Sequence, residues 1–205
     1  MLLAKICGLS EIIHVEKCIE YGASMCGFIL FYPKSHRNLS LDKAKELTSL
    51  KHSKSNVAVM VQPNKSQLES IKNLNFQYYQ IYGDQDPDEI NKIKKRYGVK
   101  IIKALTIETK ENVLKYKKYQ DISNVILFDS IGKEKSLSFD HSLLKDVSKN
   151  VIKMIAGNIQ IQDLEKISKI ADIVDVSGAV ETEKKKDLTK IKEFLLKIKE
   201  INELN

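Results

Sequence analysis

Long apolar runs are missing from this sequence. The longest, Met25 to Pro33, is broken by Gly27 and closed by a proline, well short of the about 18 residues of a membrane helix. The amino terminus, Met-Leu-Leu-Ala-Lys-Ile-Cys-Gly, has neither the basic start nor the apolar stretch of a signal peptide. Cysteines are few: Cys7, Cys18 and Cys26 form an odd set without zinc-type pairing, so a reducing cytoplasm is expected and no disulfide framework. His14, His36, His52 and His141 are scattered, so no metal site is expected. Arginine is nearly absent: Arg37 and Arg96 are the only two among 34 basic residues. A nucleic-acid binder concentrates its charge on one face and uses arginine for bases and phosphates. Here the lysines are mixed with acids, as on solvated helix faces, so neither nucleic acid nor a membrane is an expected partner. No Gly-x-Gly-x-x-Gly follows the first β-type run, which argues against a dinucleotide-binding fold. No low-complexity linker or break in composition divides the chain, so residues 1–205 read as one domain.

What is present is a globular composition. Hydrophobic residues make up 42% and charged residues 30% of 205, enough chain to remove roughly 70% of its unfolded surface from water. Short β-type runs recur: Leu2–Cys7, Met25–Phe31, Asn56–Val61, Tyr78–Tyr82, Val99–Leu105, Asn124–Asp129, Val151–Ala156 and Asp172–Ser177. They are rich in Ile, Val, Leu and Phe without clean alternation, as strands covered on both faces are. Helix signals lie between them. Asp86-Pro87-Asp88-Glu89 offers a cap, a first-turn proline and first-turn acids; Ile90, Ile93 and Tyr97 share a face, and Gly98 stops the helix. Ser10, Ser40 and Asp187 are cap candidates for helices carrying Ile12, Val15 and Ile19; Leu41, Ala44 and Leu47; and Leu188, Ile191, Leu195 and Ile198. Eight strand–helix units of about 26 residues each predict an α/β fold, a compact single-domain (β/α)8 TIM barrel near the lower size limit. A doubly wound open sheet is the alternative.

In such a barrel the active site lies at the carboxyl ends of the strands. That rule selects Cys7, the segment Tyr32-Pro33-Lys34-Ser35-His36-Arg37, Asp129, Ala156-Gly157-Asn158 and Asp175-Val176-Ser177-Gly178-Ala179. Cys7 suits a general base if its neighbours lower its pKa; the plainer reading is an inert buried thiol. Asp129 suits a carboxylic acid kept protonated by apolar surroundings; the plainer reading is a cap or an ion pair. Arg37 offers the planar fork that grips a carboxylate or phosphate, against the reading of an ordinary loop arginine. Gly157 and Gly178 let backbone N–H groups approach a phosphate, and the loops after strands seven and eight of a barrel frequently hold one.

In this order the pieces resemble phosphoribosylanthranilate isomerase, an enzyme family of tryptophan biosynthesis. Lys5-Ile6-Cys7-Gly8 matches the family's opening, and Gly27-Phe28-Ile29-Leu30-Phe31-Tyr32-Pro33-Lys34-Ser35-His36-Arg37 resembles its Gly-Phe-x-Phe-Tyr-x-x-Ser-x-Arg segment. Gln80-Ile81-Tyr82-Gly83-Asp84 is similar to Gln-Leu-His-Gly-Asp, Leu127-Phe128-Asp129-Ser130 to the strand-six motif, and Ser138-Phe139-Asp140 to the later Thr-Phe-Asp. Ile155-Ala156-Gly157, Val174-Asp175-Val176-Ser177, Val180-Glu181-Thr182 and Lys186-Asp187 complete the series. The resemblance implies an Amadori rearrangement of N-(5′-phosphoribosyl)anthranilate, with Asp129 as the acid, Cys7 as the base and Arg37 on the anthranilate carboxylate. It implies substrate contacts for Gln80, Gly157, Asn158, Asp175, Ser177, Gly178 and Ala179, the role of Asp175 staying open. The chemistry needs no metal and no cofactor. The expected partner is a small phosphorylated substrate, the expected assembly a monomer or homodimer, and the net charge of +7 helps draw that anion in.

The sequence departs from the family in its loops. Gly157-Asn158 stands for Gly-Gly, Ser177-Gly178-Ala179 for Ser-Ser-Gly, and Tyr82 and His141 for a histidine and a tryptophan. The glycine-rich loop after strand six is replaced by Lys133-Glu134-Lys135-Ser136, with only Gly132 nearby. Asn158 is expected to adopt the left-handed angles of the glycine it replaces. Lys133 or Lys135 is expected to supply compensating charge at the phosphate or rim. Two other readings stand beside the isomerase: a non-catalytic or repurposed barrel binding phosphorylated small molecules, and a sugar isomerase of histidine biosynthesis. The latter generally uses two aspartates, which Cys7 argues against.

Overall fold

The computed structural model describes residues 1–130 and 139–204. Eight parallel strands run in chain order: β1 (Leu3–Cys7), β2 (Met25–Leu30), β3 (Ser55–Val61), β4 (Tyr78–Tyr82), β5 (Lys100–Ile107), β6 (Val125–Ser130), β7 (Lys153–Ile155) and β8 (Ile173–Val176). Each pairs with the next, and β1 pairs with both β2 and β8. That last pairing closes the ring, so the fold is the (β/α)8 barrel and not the open sheet.

Alternate residues of each strand face opposite ways, and most of the residues facing either way are apolar. Cys7, Met25, Val57, Val59, Ile102, Ala104, Val125, Leu127, Met154 and Ala156 form the inner cluster. Their strand neighbours, among them Ile6, Cys26, Phe28, Ala58, Met60, Ile126 and Phe128, pack outward beneath the helices. This explains strands with no polar alternation. Lys103 is the exception on the outer face of β5. It is fully buried, and its ammonium donates to the carbonyls of Ile81, Gly83 and Ala104 and lies 5.1 Å from the centre of the Tyr119 ring. It thereby ties the ends of β4 and β5 together.

The helices are α1 (Ile12–Glu20), α2 (Leu41–Thr48), α3 (Lys65–Ile71), α4 (Pro87–Tyr97), α5 (Lys110–Leu114), α6 (Leu164–Ile167) and α7 (Leu188–Leu204). Asp86 caps α4 through the Asp88 N–H, and Gly98 ends it with φ 63°. Ser40 caps α2, and Asp187 accepts from the N–H groups of Thr189 and Lys190 at the start of α7. Ser10 does not cap α1. The residue there is Glu11, with no side-chain bond to the helix, because α1 begins one residue later than a Ser10 cap requires. The eight strand–helix units are also not all complete. Between β6 and β7 the described residues form only a 3-10 turn, His141–Leu144, capped by Asp140, and α6 is a single turn. Ser148 accepts the N–H of Asn150, a local bond that competes with helix continuation.

Beyond β8, a 3-10 turn (Gly178–Val180) leads into a short hairpin that pairs Glu181 with Lys186 and Thr182 with Lys185. Among the described residues, no helix is long and apolar enough to cross a membrane.

Candidate active site

Strand β1 turns Lys5 and Cys7 to the same inner face, two residues apart. Gly27 on β2 makes room for both. A Cβ there would stand 2.9 Å from Cys7 Sγ, closer than real side chains come, and 3.0 Å from Lys5 Cε, a tight contact. On the other side of β1, Asp175 of β8 lies in register with Lys5. Its two carboxylate oxygens each accept from Lys5 Nζ at 2.8 Å, with 0% and 6% of the two residues exposed. Burial works against the Lys5 charge, but Asp175 and Cys7 beside it hold the ammonium above its ordinary value. Burial pushes the Cys7 thiol up; Lys5 acts against that by charge and by a side-chain hydrogen bond.

Three strands around the ring, Asp129 faces inward from β6. Burial pushes its carboxyl up to about 6. Tyr82, the last residue of β4, donates its hydroxyl to Asp129 Oδ2 at 2.8 Å, which acts in the opposite direction. Gln80 Nε2 donates in turn to the Tyr82 oxygen at 3.3 Å, while Gln80 Oε1 is buried without a partner among the described residues. Gln80, Tyr82 and Asp129 thus form one hydrogen-bonded chain from β4 to β6.

Arg37 follows β2 and crosses over Gly8, whose φ of 76° and bare Cα leave space for the arginine stem. Its Nε and one terminal nitrogen donate to the two oxygens of Glu181, each at 2.6 Å. Lys186 donates to the same carboxylate at 2.7 Å and to the Ser177 carbonyl at 3.0 Å. The hairpin register makes this possible, since Glu181 and Lys186 are direct cross-strand partners. Burial opposes the Glu181 charge, yet Arg37 and Lys186 hold its carboxyl down at about 2. Burial also lowers the Lys186 ammonium. With His36, Ser10 and Glu11 these residues line a cleft of about 310 Å³, at the small end of the range for small-molecule sites.

The remaining expected residues sit on the same rim. Gly157 and Asn158 follow β7 with φ of 98° and 49°, so Asn158 does take the left-handed conformation expected of it. Gly157 presses on Ser130, which leaves no space for a side chain. The Ser177 hydroxyl donates to the Cys7 carbonyl at 3.0 Å, and Gly178 opens the 3-10 turn beside Arg37. Ala179 packs against the outer core. Asp175 has both oxygens on Lys5. Lys133 and Lys135 lie outside the described residues.

Four residues with no role assigned from sequence stand at the site: Lys5, Tyr82, Glu181 and Lys186. Two carried a usable signal. Lys5 is a charged residue on the inner face two positions before Cys7, and Tyr82 ends a barrel strand. Glu181 and Lys186 stood in segments that resemble the family, Val180-Glu181-Thr182 and Lys186-Asp187, but a two-residue strand has no period from which to place them at the site.

Fold and site define an acid–base enzyme built on a (β/α)8 barrel. The family model for N-(5′-phosphoribosyl)anthranilate (PRA) isomerase matches residues 4–197, and the chain belongs to that family. The PRA isomerase of Thermoanaerobacter pseudethanolicus is 32% identical over 209 residues, covering 98% of this chain and all of that one. The crystal structure of the Thermotoga maritima PRA isomerase is 26% identical, with a TM-score of 0.88 over 98% of this chain and all of its own. A PRA isomerase solved with reduced 1-(o-carboxyphenylamino)-1-deoxyribulose 5-phosphate is 26% identical and matches over the same shares with a TM-score of 0.85.

Proposed function

We infer that this chain, residues 1–205 acting as one barrel domain, isomerises N-(5′-phosphoribosyl)anthranilate to 1-(2-carboxyphenylamino)-1-deoxyribulose 5-phosphate in tryptophan biosynthesis. The observation that carries the reading is a raised carboxyl and a free thiol facing one barrel mouth, in a chain of this family. Asp129 gives its proton to the furanose ring oxygen, the bond from that oxygen to the first sugar carbon breaks, and a Schiff base forms. The Cys7 thiolate then takes the proton from the second sugar carbon. The resulting enolamine tautomerises to the ketone. Acid and base must be protonated and deprotonated in the same molecule, and the barrel holds them apart so that neither neutralises the other.

Arg37, braced by Glu181, turns its second terminal nitrogen to the anthranilate carboxylate. Gly157, Asn158, Ser177, Gly178 and Ala179 form the loops that receive the phosphate, and Gln80 reaches the site through Tyr82. Asp175 acts through Lys5. A cytoplasmic location suits three free thiols. Monomer and homodimer both suit a site built wholly from one chain; the Thermotoga maritima isomerase is described as dimeric.

The test is the purified protein with freshly made phosphoribosylanthranilate, following loss of anthranilate-type fluorescence. Turnover is expected above the spontaneous background, and Cys7→Ser and Asp129→Asn are each expected to lower it by about 10²–10⁴. No acceleration by the wild type would leave a barrel that binds phosphorylated molecules without converting them.

A further inference from the structure

A base must be deprotonated to work, and Cys7 is badly placed for that on its own. It is 7% exposed, and burial alone drives a thiol toward its neutral form. Burial pushes the other two thiols up as well, Cys26 to about 12 even with the charge of Lys5 acting against it, and Cys18 higher still. Cys7 differs in that the fully buried ammonium of Lys5, two residues before it on the same face, meets it by a side-chain hydrogen bond as well as by charge. Gly27 leaves the space the two share, since a Cβ there would meet Cys7 Sγ at 2.9 Å and Lys5 Cε at 3.0 Å. A buried lysine ordinarily sheds its proton. Asp175 prevents this by accepting from Nζ with both oxygens.

We propose that Lys5, kept charged by Asp175, is the positioning residue that makes Cys7 a usable thiolate. The proposal rests on the reading of Cys7 as the base. Lys5 touches the reaction only through the sulfur. When the proton moves from substrate carbon to sulfur, the negative charge beside Lys5 disappears, and when the thiolate forms again the ammonium is already there to receive it. No solvent has to reorganise, because the charge pair is built into two paired strands. Other groups bear on the thiol: Lys186 and Arg37 from the hairpin side, Tyr82 from β4 and Asp175 from β8. Lys186 and Arg37 are engaged by Glu181 and Tyr82 by Asp129, as Lys5 is by Asp175, and the charge of Lys5 acts on the sulfur more strongly than that of Lys186. The Lys5 effect on the thiol exceeds the opposing effect of Asp175, so the pair as a whole favours the thiolate.

The experiment measures the thiol directly, by the pH dependence of iodoacetamide alkylation followed at Cys7 by mass spectrometry. The full chain is used as wild type, Lys5→Met and the double variant Lys5→Met with Asp175→Asn. The double variant leaves no unpaired buried carboxylate and guards against misfolding of the single one, checked by circular dichroism. Both variants are expected to raise the alkylation midpoint by at least one pH unit, lowering the rate at pH 8 about tenfold. Both are expected to lower kcat/KM by a similar factor and to move its alkaline limb upward. An unmoved midpoint in the folded double variant overturns the proposal. A moved midpoint with unchanged kcat/KM overturns it too, since the tuning would then serve nothing. Failure of the base reading itself shows elsewhere, as full turnover in Cys7→Ser.

Discussion

Replacing Tyr82 by phenylalanine removes a single oxygen from the site and should make the acid easier to keep protonated. The Tyr82 hydroxyl donates to Asp129 Oδ2 at 2.8 Å, and a hydrogen bond to the charged form holds a carboxyl pKa down. Such a bond is worth about 1.5–3 kcal/mol, and one pKa unit is about 1.36 kcal/mol. The ring still fills its place, so burial of Asp129 is unchanged. Its pKa should therefore move from about 6 to about 7–8. The consequence for rate follows from the two populations needed together. Above the Asp129 pKa the protonated acid falls tenfold per pH unit while the Cys7 thiolate rises tenfold, so their product is flat up to the thiol pKa. Below the Asp129 pKa the acid is full and only the thiolate declines, so kcat/KM falls with falling pH. In Tyr82→Phe that acid-side limb should move up by about 1–2 units. The plateau should rise, by less than tenfold per unit because a weaker acid delivers its proton less readily. The assay is kcat/KM by fluorescence loss from pH 5 to 9. An acid-side limb that stays near 6, or moves lower, refutes the reasoning.

Asp129→Asn should trade activity for stability. The folded state holds the Asp129 proton up to about 6 whereas the unfolded chain releases it near the ordinary value of 3.8, so stability declines as pH rises between the two. Above pH 6 the buried charge costs about 3 kcal/mol, which the amide removes. Thermal unfolding should show a gain at pH 8 and none at pH 3; equal gains at both would contradict the assignment. Glu181→Gln should do the reverse. Its folded carboxyl sits at about 2 against an ordinary 4.5, so its stabilisation is complete above 4.5 and lost as pH falls toward 2. Allowing for solvent at the cleft, the loss at pH 7 is about 2 kcal/mol, or a Tm lower by about 4–8 °C. A variant melting with the wild type at pH 7 would show that the Arg37–Glu181–Lys186 cluster contributes nothing net.

The parts of this protein that sequence determined are those whose signals are local. The start and stop of α4 are written in Asp86, Pro87 and Gly98, each acting within one helical turn. The eight apolar runs are strands at nearly the expected places, and their ends carry Cys7 and Asp129 to the rim because a parallel barrel opens at its carboxyl ends. Phe31 shows how boundaries shift: it is apolar enough to extend β2, but its φ of 59° ends the strand. Ring closure, by contrast, joins β1 to β8 across nearly the whole chain, and no local pattern states it. The same holds for the groups that give the chemistry its character. Lys5 meets Asp175 across 170 residues, Tyr82 meets Asp129 across 47, and Arg37 meets Glu181 across 144. Propensity and capping act through bonds a few residues apart, whereas burial and charge act through space. Residue type alone therefore placed a thiol and a carboxyl at the mouth of the barrel. Only the tertiary structure decided which neighbours press on them, and so how readily each can hold or release its proton.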